Sequence, residues 1–189
     1  GIEPKWYCPV IPTVLVNGAD GIGTGWSTSV PCYNPADLIA NVRRLLAGEA
    51  ALPMEPWYRG FKGTVSRVQN APTYDVHGVV HDLGDGRLQL SELPIRTWTS
   101  PYKEYLESMI IGVGAGGADG DGGGGGDGSS SKAVAPFLKD VRDMSSENHV
   151  AFTLSLSNAE AVATRAVGAH KRLKLTSSIS TNNMVLFDK

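Results

Sequence analysis

A glycine-rich stretch near the middle of the chain constrains how the rest can fold. Of the 23 glycines in 189 residues, eleven lie between Gly112 and Gly128, together with three aspartates, and Ser129–Ser131 follow. Such a stretch has almost no apolar side chain to bury, which is typical of a flexible surface insert. We therefore expect residues 112–131 to be a linker, and any core to be built from residues 1–111 and 132–189.

Composition excludes several classes of protein. Hydrophobic residues make up 41% of the chain, which is enough for a packed core and rules out wholesale disorder. No apolar run approaches the ~20 residues that span a bilayer, so we predict no membrane partner. Cys8 and Cys32 are too few for a disulfide framework or a four-cysteine metal site, a pattern that suits a reducing compartment.

Charge is distributed unevenly along the chain. The formal net charge of −2 argues against a histone-like protein that binds nucleic acid by charge alone. Residues 132–189, however, carry eight basic and five acidic groups, and their densest basic cluster is His170–Lys174. The commoner interpretation of such a cluster is the solvated end of a helix or strand.

Hydrophobic periodicity predicts strands and helices in a mixed order. Asn34-Pro35 has the pattern of an N-cap followed by proline, and apolar residues then recur at helical spacing as far as Leu46. Further helices are predicted from Ser100, over Ala135–Met144 and from Ser157 to Gly168. Strands are predicted at Ile11–Val16, Gly63–Val68, Tyr74–His81, Arg87–Leu93, Val150–Leu156 and Met184–Phe187, with the second, third and fourth forming an antiparallel meander. Because no regular βαβ repeat is present, we predict an α+β fold with a mixed or antiparallel sheet and flanking helices.

The first candidate site is the glycine-rich loop Gly18–Ser27. Glycine every two or three residues allows positive φ angles and close backbone approach. The loop is not a Walker loop, since Lys and Ser/Thr do not follow in register, and it lacks the third glycine of a dinucleotide fingerprint. A tight structural turn is the alternative.

The second candidate is Val30, which precedes Pro31. Proline forces the preceding residue into an extended conformation. A stiff apolar side chain at such an elbow packs in a core, or projects as the kind of wedge that DNA-bending proteins insert between base steps. The sequence leaves both interpretations open.

Two further segments have the composition of a nucleic-acid surface. Pro56–Gly63 interleaves aromatic residues with Arg59 and Lys62, which suits phosphate and base or sugar contacts, or equally an aromatic core ridge with solvated basic tips. The second segment is dense in hydroxyls and amides that can position phosphates, with a polar loop as the alternative. It comprises Lys174, Leu175, Thr176, Ser177, Ser178, Ile179, Ser180, Thr181, Asn182 and Asn183.

Catalytic and metal-binding patterns are not apparent. His77 and His81 have no Cys, Asp or Glu that completes a convincing ligand set. Ser27 lacks the glycine two residues later that a nucleophile elbow requires. We therefore assign no catalytic residue and no metal ligand.

Taken in order, these segments resemble the eukaryotic type IIA DNA topoisomerases (DNA topoisomerase II). The matching stretches span almost the whole chain apart from the glycine-rich insert. They are Trp6–Pro9, Ile11–Ser27, Asn34-Pro35, Arg43–Leu45, Pro56–Gly63, Leu93–Trp98, Lys103-Glu104 and Met184–Asp188.

The resemblance implies part of an ATP-dependent isomerase that passes one DNA duplex through a transient break in another. The chain is similar to the region downstream of the catalytic tyrosine, which in the family follows an arginine; none of the six tyrosines here does. The implied domains are the end of a winged-helix domain (1–34) and a tower domain (35–111 and 132–189, truncated at its C-terminus) interrupted by the insert (112–131). Mg²⁺ and ATP would serve the parent enzyme, with no cofactor in this part.

The resemblance also implies roles for particular residues. The family's DNA-intercalating isoleucine corresponds to Val30, which is one methylene shorter, a difference of ~0.8 kcal/mol of burial, so we expect weaker DNA bending. The family segment matching Lys174–Asn183 contacts DNA. The implied partners are duplex DNA and a second copy of the chain in a homodimer, and the implied location is the nucleus, with mitochondria or another organelle as alternatives. A stand-alone architectural DNA-binding protein and a glycine-loop small-molecule enzyme are the other functional hypotheses.

Overall fold

The computed structural model describes residues 2–5, 7–112 and 135–186. The predicted linker therefore lies outside the described residues, apart from Gly112. The helices of the described chain are α1 (Thr13–Asn17), α2 (Pro35–Leu46), α3 (Thr99–Ser108), α4 (Asn158–Val167) and α5 (Ala169–Arg172). The strands are β1 (Ala19–Ile22), β2 (Ser27–Val30), β3 (Thr64–Arg67), β4 (Thr73–His77), β5 (Val79–Gly84), β6 (Arg87–Glu92), β7 (Leu138–Asp143), β8 (Phe152–Leu156) and β9 (Thr176–Ser180).

The chain folds into two compact units. The first unit comprises Gly1–Val76 and Ser178–Lys189, and the second comprises His77–Ser177. The strands form a β1-β2 pair, a three-stranded sheet in the order β3-β4-β9, and a four-stranded sheet in the order β5-β6-β8-β7. The α+β prediction is confirmed, and the predicted division into a winged-helix end and a tower domain stays a prediction.

The core of the second unit follows from period-two alternation on its antiparallel strands. Leu88 and Leu90 of β6 lie opposite Leu154 and Phe152 of β8, and all four side chains are buried. Each such side chain contributes roughly 1.5–3 kcal/mol when fully buried. The same core includes Tyr102, whose hydroxyl donates to the carbonyl of Leu173 at 2.7 Å.

The first unit has its own buried side chains. They include residues of β2, β4, α2, β9 and the segment after β2, namely Val30, Pro31, Tyr33, Leu38, Tyr74, Val76 and Ile179. The helix α2 begins as predicted, since the side chain of Asn34 accepts a hydrogen bond from the amide of Ala36 and Pro35 occupies the first turn.

Two predicted elements are wrong in type. The sequence predicts a strand at Ile11–Val16, but Thr13–Asn17 form the short helix α1, with Pro12 at its N-cap and Gly18 ending it at φ 69°. It predicts a helix over Ala135–Met144, but Leu138–Asp143 form β7, paired with β8. A register shift between Leu138 and Asp140 places Leu138 and Val141, three residues apart, against the same core, which reproduces a helical spacing in a strand.

Two further strand predictions are also corrected. Gly78 divides the predicted strand Tyr74–His81 into β4 and β5, which belong to different sheets, so no single meander forms. A Cβ at Gly78 would clash with the carbonyl oxygen of Glu92, which explains why the break falls at a glycine. Residues 184–186 are not in a strand, and Phe187 lies outside the described residues.

Candidate nucleic-acid interface

The segment predicted as a glycine-rich loop, Gly18–Ser27, contains β1 and the turn of residues 23–26 that joins β1 to β2. Gly18, which precedes β1, has a φ of 69°, and a Cβ on it would lie 2.7 Å from the carbonyl oxygen of Val30. Gly25 adopts a φ of 80° in the turn, and no residue other than its two chain neighbours comes within 4 Å of the point that its Cβ would occupy. Gly18 therefore allows the start of β1 to approach the end of β2, where the wedge candidate lies.

Val30 is buried in this conformation. Its side chain is 2% exposed at the end of β2, and Pro31 after it is also buried. An apolar side chain in this position contributes to the core of the first unit. Insertion between base pairs would therefore require a rearrangement that exposes it.

Two other apolar side chains of the same hairpin, unlike Val30, are exposed to solvent. Ile22 is 96% exposed and Trp26 is 73% exposed, at the two ends of the turn between β1 and β2. They line an open groove together with Val185 and Leu186. Sequence reasoning does not single them out, although both belong to a glycine-rich turn that has few partners for large side chains.

The aromatic and basic segment lies beside the residues that follow Val30. Pro56 forms an antiparallel bridge with Tyr33, and the amide of Trp57 donates to the carbonyl of Cys32 at 2.8 Å. Arg59 and Lys62 are both exposed. The first unit thus presents two cations on a segment anchored next to the Val30-Pro31 elbow.

The hydroxyl-rich segment separates into two sets of side chains. Leu175 and Ile179 are buried, so these two do not present a surface in this conformation. Every second residue is exposed, and these residues are Lys174, Thr176, Ser178, Ser180 and Asn182. The alternation arises because β9 has the period of two that places successive side chains on opposite faces.

The segment also crosses the boundary between the two units. Lys174–Ser177 belong to the second unit, whereas residues 178–183 belong to the first, as do Val30, Arg59 and Lys62. Within the second unit, the Lys174 ammonium lies 4.5 Å from the centre of the Tyr105 ring. Such a contact holds the charge on an aromatic face and leaves the side chain exposed.

The end of the segment contacts the strand that carries Val30. The amide of Ser29 donates to the carbonyl of Asn183 at 2.8 Å, and the Asn183 side-chain amide donates to the Ser27 hydroxyl at 2.7 Å. The first unit therefore brings the wedge candidate and the end of the polar segment together, a proximity that sequence reasoning does not predict.

Two buried tyrosine hydroxyls, those of Tyr33 and Tyr102, have raised pKa values. Burial raises the pKa of Tyr33, and the negative charge of a neighbouring Tyr74 would raise it further. Burial likewise raises the pKa of Tyr102 far above its ordinary value. Both hydroxyls therefore stay protonated, which suits the hydrogen bond that Tyr102 donates to the carbonyl of Leu173.

The described residues contain no cluster of three or more His, Cys, Asp or Glu side chains placed to hold a metal ion. The same part of the chain has no helix long and apolar enough to cross a bilayer.

Comparison with known proteins gives the same family throughout the chain. The family model for the A-subunit of DNA gyrase/topoisomerase IV matches residues 1–189. The chain is 46% identical to DNA topoisomerase 2 of Arabidopsis thaliana over 191 residues, which is 100% of this chain and 12% of that protein. It is 39% identical to DNA topoisomerase 2-alpha of Homo sapiens over 189 residues, which is 99% of this chain and 11% of that protein.

A solved structure agrees with these relatives. The crystal structure of the Plasmodium falciparum topoisomerase II DNA-binding, cleavage and re-ligation domain matches with a TM-score of 0.82 and 36% identity, over 99% of this chain and 23% of that one. The chain spans about a tenth of the length of the curated relatives quoted. The resemblance to eukaryotic type II DNA topoisomerases is confirmed, and the chain belongs to the DNA gyrase/topoisomerase IV A-subunit family.

Proposed function

We propose that this chain is the DNA-binding and DNA-bending part of an ATP-dependent type II DNA topoisomerase. The observation that carries the proposal is the pairing of Ser29 with Asn183, which joins the strand bearing Val30 to the end of the polar segment. The relatives' names support the enzyme class, and the matched structure is named for DNA binding, cleavage and re-ligation.

The exposed residues of the polar segment are proposed to contact the DNA backbone. Lys174 supplies a positive charge in the second unit, while Ser178, Ser180 and Asn182 present hydroxyl and amide groups in the first. Such groups position phosphates without reading the base sequence. Arg59 and Lys62 are proposed as further phosphate contacts, since both are exposed on a segment of the first unit. The buried Leu175 and Ile179 anchor the segment in the two cores.

Val30 is proposed to bend the duplex by inserting between base steps. The step requires Val30 to leave its buried position, and the free energy of leaving the core opposes insertion. The gain comes from the additional contacts that a bent duplex makes with the protein surface. Because valine is smaller than isoleucine, we expect a smaller bend than in relatives with isoleucine there.

The chemistry of strand passage is proposed to come from other parts of the parent enzyme. Those parts would supply the tyrosine that links to DNA, the carboxylates that hold Mg²⁺ and the domain that hydrolyses ATP. The parent is proposed to be a homodimer, and its location the nucleus or an organelle. Alignment along the whole chain to proteins named DNA topoisomerase 2 favours this proposal over a stand-alone architectural protein or a small-molecule enzyme.

Binding and bending of DNA by the 189-residue chain test the proposal. A duplex of about 30 base pairs, labelled at both ends, reports binding by fluorescence anisotropy and bending by energy transfer. We expect weak binding without metal or ATP, a binding constant that falls with salt, and an increase in energy transfer. A chain that bound nucleotide and was stabilised by it, but had no affinity for DNA, would contradict the proposal.

A further inference from the structure

A cavity lies between the helix α4 and the sheet of the second unit. Its volume is ≈170 Å³, and residues of β5, β6, α4 and α5 line it together with Gly86 of the turn between β5 and β6. The lining residues all belong to the second unit, and none belongs to the segments proposed to contact DNA. An apolar cavity of about 150 Å³ is large enough to bind benzene, so this one has room for a single aromatic ring.

An aspartate stands on the inner face of the sheet beside this cavity. In the β5-β6 pair, Val80 lies opposite Leu90 and Asp82 lies opposite Leu88. Because side chains alternate along a strand, Asp82 shares a face with Val80 and with the two buried leucines. A short polar side chain therefore occupies a position where the core would otherwise hold a large apolar one.

Small residues around this position keep the space open. Ala161 of α4 contributes only a methyl group to the lining. Gly86 contributes no side chain and tolerates none, because its φ is 72° and a Cβ would lie 2.7 Å from the carbonyl oxygen of Leu156. Protein interiors are otherwise close-packed, so this gap is a defined feature of the fold.

The cavity meets solvent at an ion pair. Nε and Nη2 of Arg165 each lie 2.7 Å from Oδ2 of Asp82. These two residues are the exposed members of the lining, with side chains 58% and 39% exposed, whereas the others are buried or half-buried. An ammonium group at this position would be repelled by Arg165 and a carboxylate by Asp82, so the pair favours a neutral molecule.

Asp82 has one acceptor position left for a ligand. An ionised carboxylate offers about four such positions. Oδ1 accepts from the amide of Gly84 at 2.9 Å, and Oδ2 accepts the two bonds from Arg165, so the described residues fill three. The bond from Gly84 and the contact with Arg165 lower the pKa of Asp82, which keeps the carboxylate charged at neutral pH. The Thr164 hydroxyl, the remaining polar side chain of the lining, already donates to a backbone carbonyl and accepts from Arg172.

We propose that this cavity binds a small neutral aromatic molecule that carries one O–H or N–H donor, such as a phenol. The ring occupies the space beside Val80, Leu88 and Ala161, and the donor bonds to the carboxylate of Asp82. A molecule bound in this way stabilises the second unit, since it binds the folded chain and not the unfolded one. The inference goes beyond the proposed function, because it concerns residues that take no part in the proposed DNA contacts.

Titration of the unchanged 189-residue chain with phenol tests the site directly. Methyl signals in carbon–proton correlation spectra report which side chains meet the ligand. We expect saturable shifts at Val80, Leu88 and Ala161, with a dissociation constant of about 1 mM, and no shift at Leu38, which is buried in the first unit. The absence of saturable shifts at about 10 mM phenol, or shifts spread over both units, would overturn the proposal.

Toluene separates the donor from the ring. It has nearly the shape of phenol but no O–H group, so it fills the cavity without bonding to Asp82. We expect Asp82→Asn to lower phenol affinity by about five- to tenfold, because hydrogen bonds to charged acceptors are the stronger ones, and to change toluene affinity by less than about twofold. Equal losses for the two ligands would show that Asp82 does not receive the donor.

Filling the cavity from α4 provides the matched pair of variants. We expect Ala161→Leu to abolish the binding of both ligands, since its side chain occupies the space that the ring needs. Ala166→Leu, an exposed position on the same helix, should keep both affinities within about twofold of the unchanged chain. A folded Ala161→Leu variant that still bound phenol would place the site elsewhere and contradict the proposal. These measurements use no DNA, so their failure is distinct from a failure of the proposed function.

Discussion

At the scale of single residues, Val30 combines two requirements that conflict. Its side chain is buried in the first unit, yet the proposed function needs it to enter DNA. A small β-branched side chain suits both states, since it loses little rotamer freedom on burial and is stiff when it projects. The balance between the two states is therefore the property that substitutions should reveal.

Replacing Val30 with alanine should affect both states. We expect Val30→Ala to lower the free energy of unfolding by about 1–2 kcal/mol, since two buried methyl groups are lost, and to reduce DNA bending with a smaller effect on binding. Urea unfolding and energy transfer measure the two effects. Val10→Ala is the control, because Val10 is 94% exposed. Bending unchanged by Val30→Ala, together with the loss of stability, would show that Val30 is a core residue only.

Gly18 is a second residue whose identity is set by its surroundings. We expect Gly18→Ala to destabilise the chain by about 1–3 kcal/mol, because its Cβ would meet the Val30 carbonyl at 2.7 Å and its φ is 69°. Gly25→Ala carries only the cost of positive φ, since no atom beyond Gly25 and its two chain neighbours lies within 4 Å of its Cβ position. Equal losses in thermal unfolding of the two variants would contradict the close approach at Gly18.

At the scale of elements, β9 shows how one strand serves a core and a surface. Its alternation places Ile179 inside and Ser178 and Ser180 outside. The sequence indicates a polar segment of ten residues but not which of them face solvent, because a segment dense in hydroxyls has no clear hydrophobic period. Pairing with β4 decides the face.

The charge at the start of this segment should be visible in the salt dependence of binding. We expect Lys174→Gln to reduce the slope of log binding constant against log salt concentration by about one unit, corresponding to one phosphate contact. Lys139→Gln is the matched control, since Lys139 is exposed on β7 and is not part of the proposed surface. Equal salt-dependence slopes for the unchanged chain, Lys174→Gln and Lys139→Gln would show that Lys174 does not contact a phosphate.

Two elements, α1 and β7, differ in type from the sequence prediction. Thr13–Asn17 is rich in the branched apolar residues that favour strands, but Pro12 and Gly18 bound a single helical turn. In β7, an irregular register gives a strand the apolar spacing of a helix. The first error arises because local chain breakers outweigh strand propensity, and the second because pairing with β8 outweighs the apolar spacing.

At the scale of the whole molecule, tyrosine ionisation should limit stability at high pH. The pKa of Tyr102 is raised by burial in the second unit, so folding favours the neutral form. This contribution is complete below the ordinary tyrosine pKa of about 10 and is lost as pH rises above that value. The unfolding free energy should therefore decline in alkaline solution.

Tyr102→Phe tests the source of that decline. We expect the variant to be less stable at neutral pH by about 1 kcal/mol, through loss of the hydrogen bond to Leu173, but to lose less stability above pH ~10. Urea unfolding at several pH values measures both effects. Tyr7→Phe is the control, since Tyr7 is 77% exposed, and identical alkaline slopes for all three proteins would contradict the assignment.

At low pH, the folded chain should lose stability because surface carboxylates become protonated. A backbone hydrogen bond from Gly84 and the nearby Arg165 lower the pKa of Asp82, so its stabilising effect is present above the ordinary aspartate pKa and is lost as pH falls below it. Asp82→Asn should therefore flatten the acid limb of the unfolding profile, as measured by circular dichroism between pH ~5 and ~2. A profile that coincides with that of the unchanged chain would show that Asp82 is not responsible.

The sequence by itself determined the family, the α+β class and the helices α2, α3 and α4. These follow from local signals such as the cap at Asn34 and from residues whose order along the chain is specific. Only the tertiary structure decided that Val30 is buried, that every second residue of the polar segment faces solvent, and that Thr28 and Ser29 of β2 make hydrogen bonds with Asn183. The reason is that contacts such as Thr28–Asn183 join residues 155 positions apart, and no local periodicity records which distant segments will pair.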